Sequence, residues 1–154
     1  MSLPTSASRS IEIDASPTAV YDLISDITRT GEWSPECRVC EWLGTPGQVG
    51  SRFRGRNRSG PARWTTTGEV LAAERPKVFE FVTLYKGDPA TRWRYELAGN
   101  APTRLTESFE AVSTPWLIGV AERLFIRNRQ QHLEAGMVRT LERIKAIAEA
   151  GAVA

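Results

Sequence analysis

The 154-residue sequence predicts an α+β fold in which one curved antiparallel sheet packs against one long C-terminal helix. Three observations lead there. A strand and a short capped helix open the chain, period-two runs separated by short turns fill residues 37–112, and after Pro115 the apolar period becomes helical.

Residues 1–6 read as a flexible tail, 7–150 as a single domain and 151–154 as a second tail. Ser8 to Ile13 (SRSIEI) alternates polar and apolar residues as a strand does. Ser16 then supplies an N-cap oxygen for an orphan N–H, and Pro17 suits a first turn in which no N–H is needed. Val20, Leu23, Ile24 and Ile27 form the apolar stripe of that helix. From Cys37 onward, TPG (45–47), SGP (59–61), RP (75–76), KGDP (86–89) and GNAP (99–102) separate the alternating runs, and links this short join antiparallel neighbours. Trp116, Leu117, Val120, Ala121, Leu124 and Phe125 make one helical stripe; Leu133, Met137, Thr140, Leu141, Ile144 and Ile147 or Ala148 make another. The two are out of phase on one ideal helix, which predicts a kink or break within Arg127–His132.

Alternation also sorts the strand residues into faces. In RFRGRNR (52–58), Arg52, Arg54, Arg56 and Arg58 share the outer face, while Phe53, Gly55 and Asn57 share the inner one. The inner face continues with Trp64, Thr66, Gly68 and Val70; Phe79, Phe81 and Thr83; Trp93, Tyr95 and Leu97; and Leu105, Glu107 and Phe109. Val78, Glu80 and Val82 fall outside. Glu107 is the anomaly, since a carboxylate among apolar residues needs a partner, a water or a raised pKa. The inner set suits a pocket walled by aromatics with a few polar contacts from Asn57, Thr66, Tyr95 and Glu107; plain packing of the same aromatics on the helix is the alternative.

Composition narrows the function. Lys+Arg 20 against Asp+Glu 18 leaves a net charge of +2, which does not call for nucleic acid or an anionic membrane. No apolar run approaches the ~20 residues of a membrane span, and MSLPTSASRS lacks the apolar centre of a signal peptide, so a cytoplasmic protein without membrane insertion is expected. Cys37 and Cys40 (CRVC) stand three apart on a strand and should point to opposite faces, which disfavours a local disulfide or shared metal and leaves two packed thiols. The sole histidine, His132, lies off the inner stripe. With no phosphate loop, nucleophile elbow or metal cluster, neither metal nor cofactor is expected.

The succession SRSIEIDASPTAVYDLISDITRTGEWSPEC, VGSRFRGRNR, RWTTTGEV, RWRYEL, TRLTESFE and EAGMVRTLERIKAIAE resembles, over residues 8–149, the polyketide cyclase/dehydrase branch of the START-like, or SRPBCC, superfamily. The resemblance implies a helix-grip fold: a seven-stranded curved antiparallel sheet around the long C-terminal helix, two short helices after strand 1 and a deep apolar cavity. It also implies that GEWSPE (31–36) sits at the cavity mouth, which adds Trp33 to the candidate site. The ligand-binding set is then Trp33, Phe53, Gly55, Asn57, Trp64, Thr66, Phe79, Phe81, Trp93, Tyr95, Leu105, Glu107, Phe109, Leu133 and Met137.

Residues and resemblance together lead first to a carrier or sensor of a small lipophilic molecule such as a lipid, polyketide or isoprenoid-like metabolite. Second comes a cofactor-independent cyclase or dehydratase with Glu107 as acid or base. A third reading has the arginine face bind nucleic acid or an acidic protein. It is disfavoured because Glu69, Glu80 and Glu96 dilute that face and the aromatics lie on the other. A homodimer through an edge strand or the 116–125 segment stays open.

Overall fold

The computed structural model describes residues 6–111 and 126–153, excepting the side chains of Tyr85, 126–133 and 152–153. Strand β1 (Ser6–Ile13) is followed by α1 (Pro17–Ile24) and a 3₁₀ helix (Ile27–Glu32). Six strands come next: β2 (Cys37–Leu43), β3 (Arg52–Ser59), β4 (Ala62–Glu74), β5 (Val78–Tyr85), β6 (Asp88–Gly99) and β7 (Thr103–Ala111). Helix α2 (Ile126–Val153) follows the sheet in the chain. The Ser16 hydroxyl accepts from the Ala19 N–H at 3.2 Å to cap α1. Asp26 does the same for the 3₁₀ helix, its carboxylate accepting from the Thr28 N–H at 3.1 Å.

All seven strands join one antiparallel sheet in the order β1-β7-β6-β5-β4-β3-β2, and each of the five turn signals lies between consecutive strands. Because β1 and β2 occupy opposite edges, the chain between them must cross the sheet. It does so with α1, which packs against β5, β6 and α2, and with the 3₁₀ helix, which packs on β2. The Thr103 hydroxyl, fully buried, donates to the Ala15 carbonyl at 2.7 Å and ties β7 to the start of this crossing. Helix α2 covers β1 and β7 with Met137, Thr140, Leu141, Ile144 and Ala148, the stripe read from its period. The result is a helix-grip-like α+β fold.

Several boundaries differ from expectation. β1 begins at Ser6, inside the expected tail, and α2 runs to Val153, past the expected boundary at 150. Of the kink or break expected within Arg127–His132, a break does not occur, since the helix is continuous there. A phase mismatch between two apolar stripes does not by itself locate a break in the hydrogen-bond ladder. The 116–125 stripe lies outside the described residues.

Two further departures come from assuming an unbroken pleat and a uniformly solvated outer face. On β2 the register pairs Cys37 with Asn57 and Cys40 with Gly55, so three steps on one strand meet two on the other. This bulge turns Arg38 and Val39 both outward and buries both cysteines on the inner side, contrary to the alternation argument. A second bulge between Val70 and Ala72 brings Ala73 opposite Phe79. On the outer face Glu80 is only 9% exposed, because Arg92 and Arg94 of β6 close over it at 3.3 Å and 2.6 Å. Val82, in register between Glu69 and Arg92, is buried beside them.

Candidate functional site

The inner face is not uniformly buried. Val70, Phe79, Leu97 and Leu105 are closed off from solvent, but along the same strands Thr66, Phe81, Thr83 and Trp93 are only half-buried and Trp64 is 40% exposed. Accessibility thus rises toward the end of the sheet that carries the β3–β4 and β5–β6 turns. Trp64, expected within the wall, stands at this open rim.

A run of ring contacts crosses the inner face. Trp42 meets Phe53 with centroids 6.0 Å apart, Phe53 meets Phe81 at 5.3 Å, Phe81 meets Phe79 at 6.1 Å, and Phe79 meets Tyr21 of α1 at 6.2 Å. All but the tilted Phe81–Phe79 contact are edge-to-face, an arrangement that holds rings in fixed orientations and adds about 1 kcal/mol each beyond area burial. Gly68 makes the run possible, since a Cβ there would lie 2.3 Å from the Phe53 ring. Trp93 and Phe109 form a separate stack at 5.3 Å on β6 and β7.

Polar groups on this face are few. The Asn57 amide donates to the Thr66 hydroxyl at 2.8 Å, which fixes the pair toward the open end. Glu107 lies deeper, 2% exposed, facing Tyr95 across the β6–β7 register, and its Oε2 is buried with no hydrogen-bond partner among the described residues. Burial drives its pKa up from 4.5 to about 7, although a hydrogen bond with the Tyr95 side chain favours the charged form. The Tyr95 phenol is itself raised well above its ordinary value, mainly by burial and then by the Glu107 charge. Arg9 is the registered neighbour of Glu107 on β1, but its guanidinium reaches Glu134 of α2 at 3.4 Å.

The remaining candidates divide. Phe53, Gly55, Phe79, Leu105 and Phe109 are buried on the inner face, and Met137 is buried on α2. Trp33 ends the 3₁₀ helix and is buried within the core cluster. The Leu133 side chain lies outside the described residues. Alternation did not place Cys37 and Cys40 on the inner wall; only an explicit pairing with β3 reveals the bulge that puts them there.

Two of the four outer arginines of β3 are engaged by carboxylates of adjacent strands: Arg52 with Glu69 at 3.1 Å and Arg54 with Glu41 at 2.7 Å. A shallow outer depression of about 440 Å³ is floored by Glu80, Arg92 and Arg94, which are already paired with one another. That depression therefore offers little unpaired charge to a polyanion.

A helix-grip-like sheet with an aromatic inner face and a buried carboxyl defines a protein of the SRPBCC type. The sequence profile described as polyketide cyclase / dehydrase and lipid transport matches residues 4–149, and the chain belongs to that family. It is 34% identical to a polyketide-cyclase-like protein of Corynebacterium glutamicum, covering 96% of this chain and 93% of that one, with a TM-score of 0.70. The fold is also similar to that of the di-domain ARO/CYC StfQ of the steffimycin biosynthetic pathway, with TM-score 0.78 and 12% identity over 97% of this chain and 52% of that one. A Chromobacterium violaceum protein gives a TM-score of 0.70 at 17% identity, covering 95% and 99%. No curated protein matches the sequence. Among the described residues no helix is long and apolar enough to cross a membrane.

Proposed function

We propose that the protein binds a small lipophilic molecule, such as a lipid, polyketide or isoprenoid-like metabolite, on its inner aromatic face and acts as a carrier or sensor. The observation that carries this reading is Glu107 Oε2, buried on a wall of aromatic rings without a hydrogen-bond partner among the described residues. A buried acceptor left unpaired costs about 1–3 kcal/mol, which a hydroxyl or enol of an otherwise apolar ligand would recover. The half-buried Phe81 and Trp93 supply contact area, and Asn57 with Thr66 a second polar contact nearer the rim. Membership of a family described by lipid transport as well as cyclisation supports the same class of ligand.

A cyclase or dehydratase is the second reading, favoured by a carboxyl whose pKa of about 7 lets it both take and give a proton near neutrality. Glu107→Gln separates the two. A carrier retains affinity for a displaceable fluorescent fatty-acid probe within a few fold, whereas a cyclase loses turnover of poly-β-keto substrates by ~100-fold or more at little changed affinity. Native mass spectrometry that finds no apolar ligand, together with failure of the probe to bind the wild type, sinks both readings.

A further inference from the structure

We propose that Cys37 and Cys40 form a redox-responsive pair that closes to an intrachain disulfide on exposure to a peroxide. The bulge in β2 places both side chains on the inner side of the strand, with Arg38 and Val39 turned out between them. Opposite them stands Gly55, whose missing side chain leaves the space both sulfurs share. A Cβ there would lie 3.6 Å from Cys37 Sγ and 3.8 Å from Cys40 Sγ. The two thiols are in hydrogen-bonding contact, which lowers the Cys37 pKa and raises that of Cys40. This asymmetry fits a nucleophile and a resolving thiol.

The backbone sets the terms of closure. Three steps of β2 span two residues of β3, so the Cα atoms of Cys37 and Cys40 are held ~6.8 Å apart by the strand repeat. That is near the upper limit of what a disulfide spans, about 6.8 Å. Among the described residues β2 is an edge strand with only β3 beside it in the sheet, so it can draw in without breaking a second ladder. A bridge at the limit of its span is readily reduced again, as a switch requires and a structural staple does not.

The step balances with a peroxide as oxidant. The Cys37 thiolate attacks a peroxide oxygen, forming an S–O bond as the O–O bond breaks and hydroxide departs. Cys40 sulfur then attacks the Cys37 sulfenic sulfur; the S–S bond forms, the S–O bond breaks, and water leaves with the Cys40 proton. Two thiols lose two electrons, and hydrogen peroxide becomes two waters. A small oxidant suits sulfurs this buried better than a bulky disulfide does.

Intact-mass spectrometry of the full chain tests the proposal. After hydrogen peroxide the wild type should lose ~2 Da, resist alkylation when denatured, and regain two alkylatable thiols after a reductant. Cys40→Ser should instead accumulate a dimedone-reactive sulfenic acid at Cys37. A wild-type chain that still takes two alkyl groups after peroxide, or that forms only disulfide-linked dimers, overturns it. The wild type carries the test alone if that variant fails to fold.

Discussion

Replacing Glu107 by glutamine should change how stability depends on pH while leaving the fold intact. The native carboxyl holds its proton up to about pH 7, whereas in the unfolded chain it releases it near 4.5. Between these values the native state binds one proton more than the unfolded state, so wild-type stability falls as pH rises, by ~1.4 kcal/mol per unit. Across the window this amounts to about 3 kcal/mol, fully absent below 4.5 and fully present above 7. Glutamine has nearly the same shape and never ionises. The variant should therefore match the wild type to within about 1 kcal/mol at low pH and exceed it by about 3 kcal/mol above pH 7. Urea unfolding followed by tryptophan fluorescence, at pH values from about 4 to about 8, gives the difference directly. The ion-paired carboxylates of Asp22, Glu32, Glu41 and Glu149 are common to both chains, so their titrations cancel in the comparison. Those four are held below the ordinary carboxylate range chiefly by hydrogen bonds to Arg75, Arg29, Arg54 and Lys145, and act only at the acid end. A difference that stays constant across the range would refute a carboxyl whose pKa burial raises.

Other predictions concern the supports of the inner face. Gly68→Ala should destabilise by about 1–3 kcal/mol, because its methyl overlaps the Phe53 ring, and Phe53→Leu in the same chain should restore part of the loss in urea melts. Gly31→Ala should cost a similar amount, since the added carbon falls 2.6 Å from the Arg38 carbonyl oxygen and drives the 3₁₀ helix off the bulge; hydrogen exchange should then rise at β2. Thr103→Val should cost about 1–3 kcal/mol in chemical denaturation by leaving the Ala15 carbonyl without its buried donor. Arg54→Glu should leave the urea midpoint nearly unchanged, since the ion pair with Glu41 that it breaks is exposed.

The sheet was legible because its two signals are local. A turn such as SGP at 59–61 and the alternation of RFRGRNR need no knowledge of distant residues, and both the β3–β4 hairpin and the outward arginines follow from them. Glu107 was legible for the same reason: parity alone put a carboxylate between Leu105 and Phe109. How far a site residue is buried was not, because depth depends on what lies opposite. Trp64 shares its face with Val70, yet one stands at the rim and the other is fully buried. Trp33 likewise fits a place at a cavity mouth or a helix end packed on the core, and only the packing of the crossing segment puts it in the core cluster.

The cysteines show where parity itself fails. Alternation holds only while one residue meets one residue across a ladder, and nothing in CRVC announces that Arg38 will be the extra one. The signal lies partly in Gly31 and Gly55, remote in sequence and each explained by what it makes room for: the first by the Arg38 carbonyl, the second by both sulfurs. A bulge flanked by two such gaps can be sought in other edge strands with a Cys-x-x-Cys spacing. There, thiols that plain alternation assigns to opposite faces would share one.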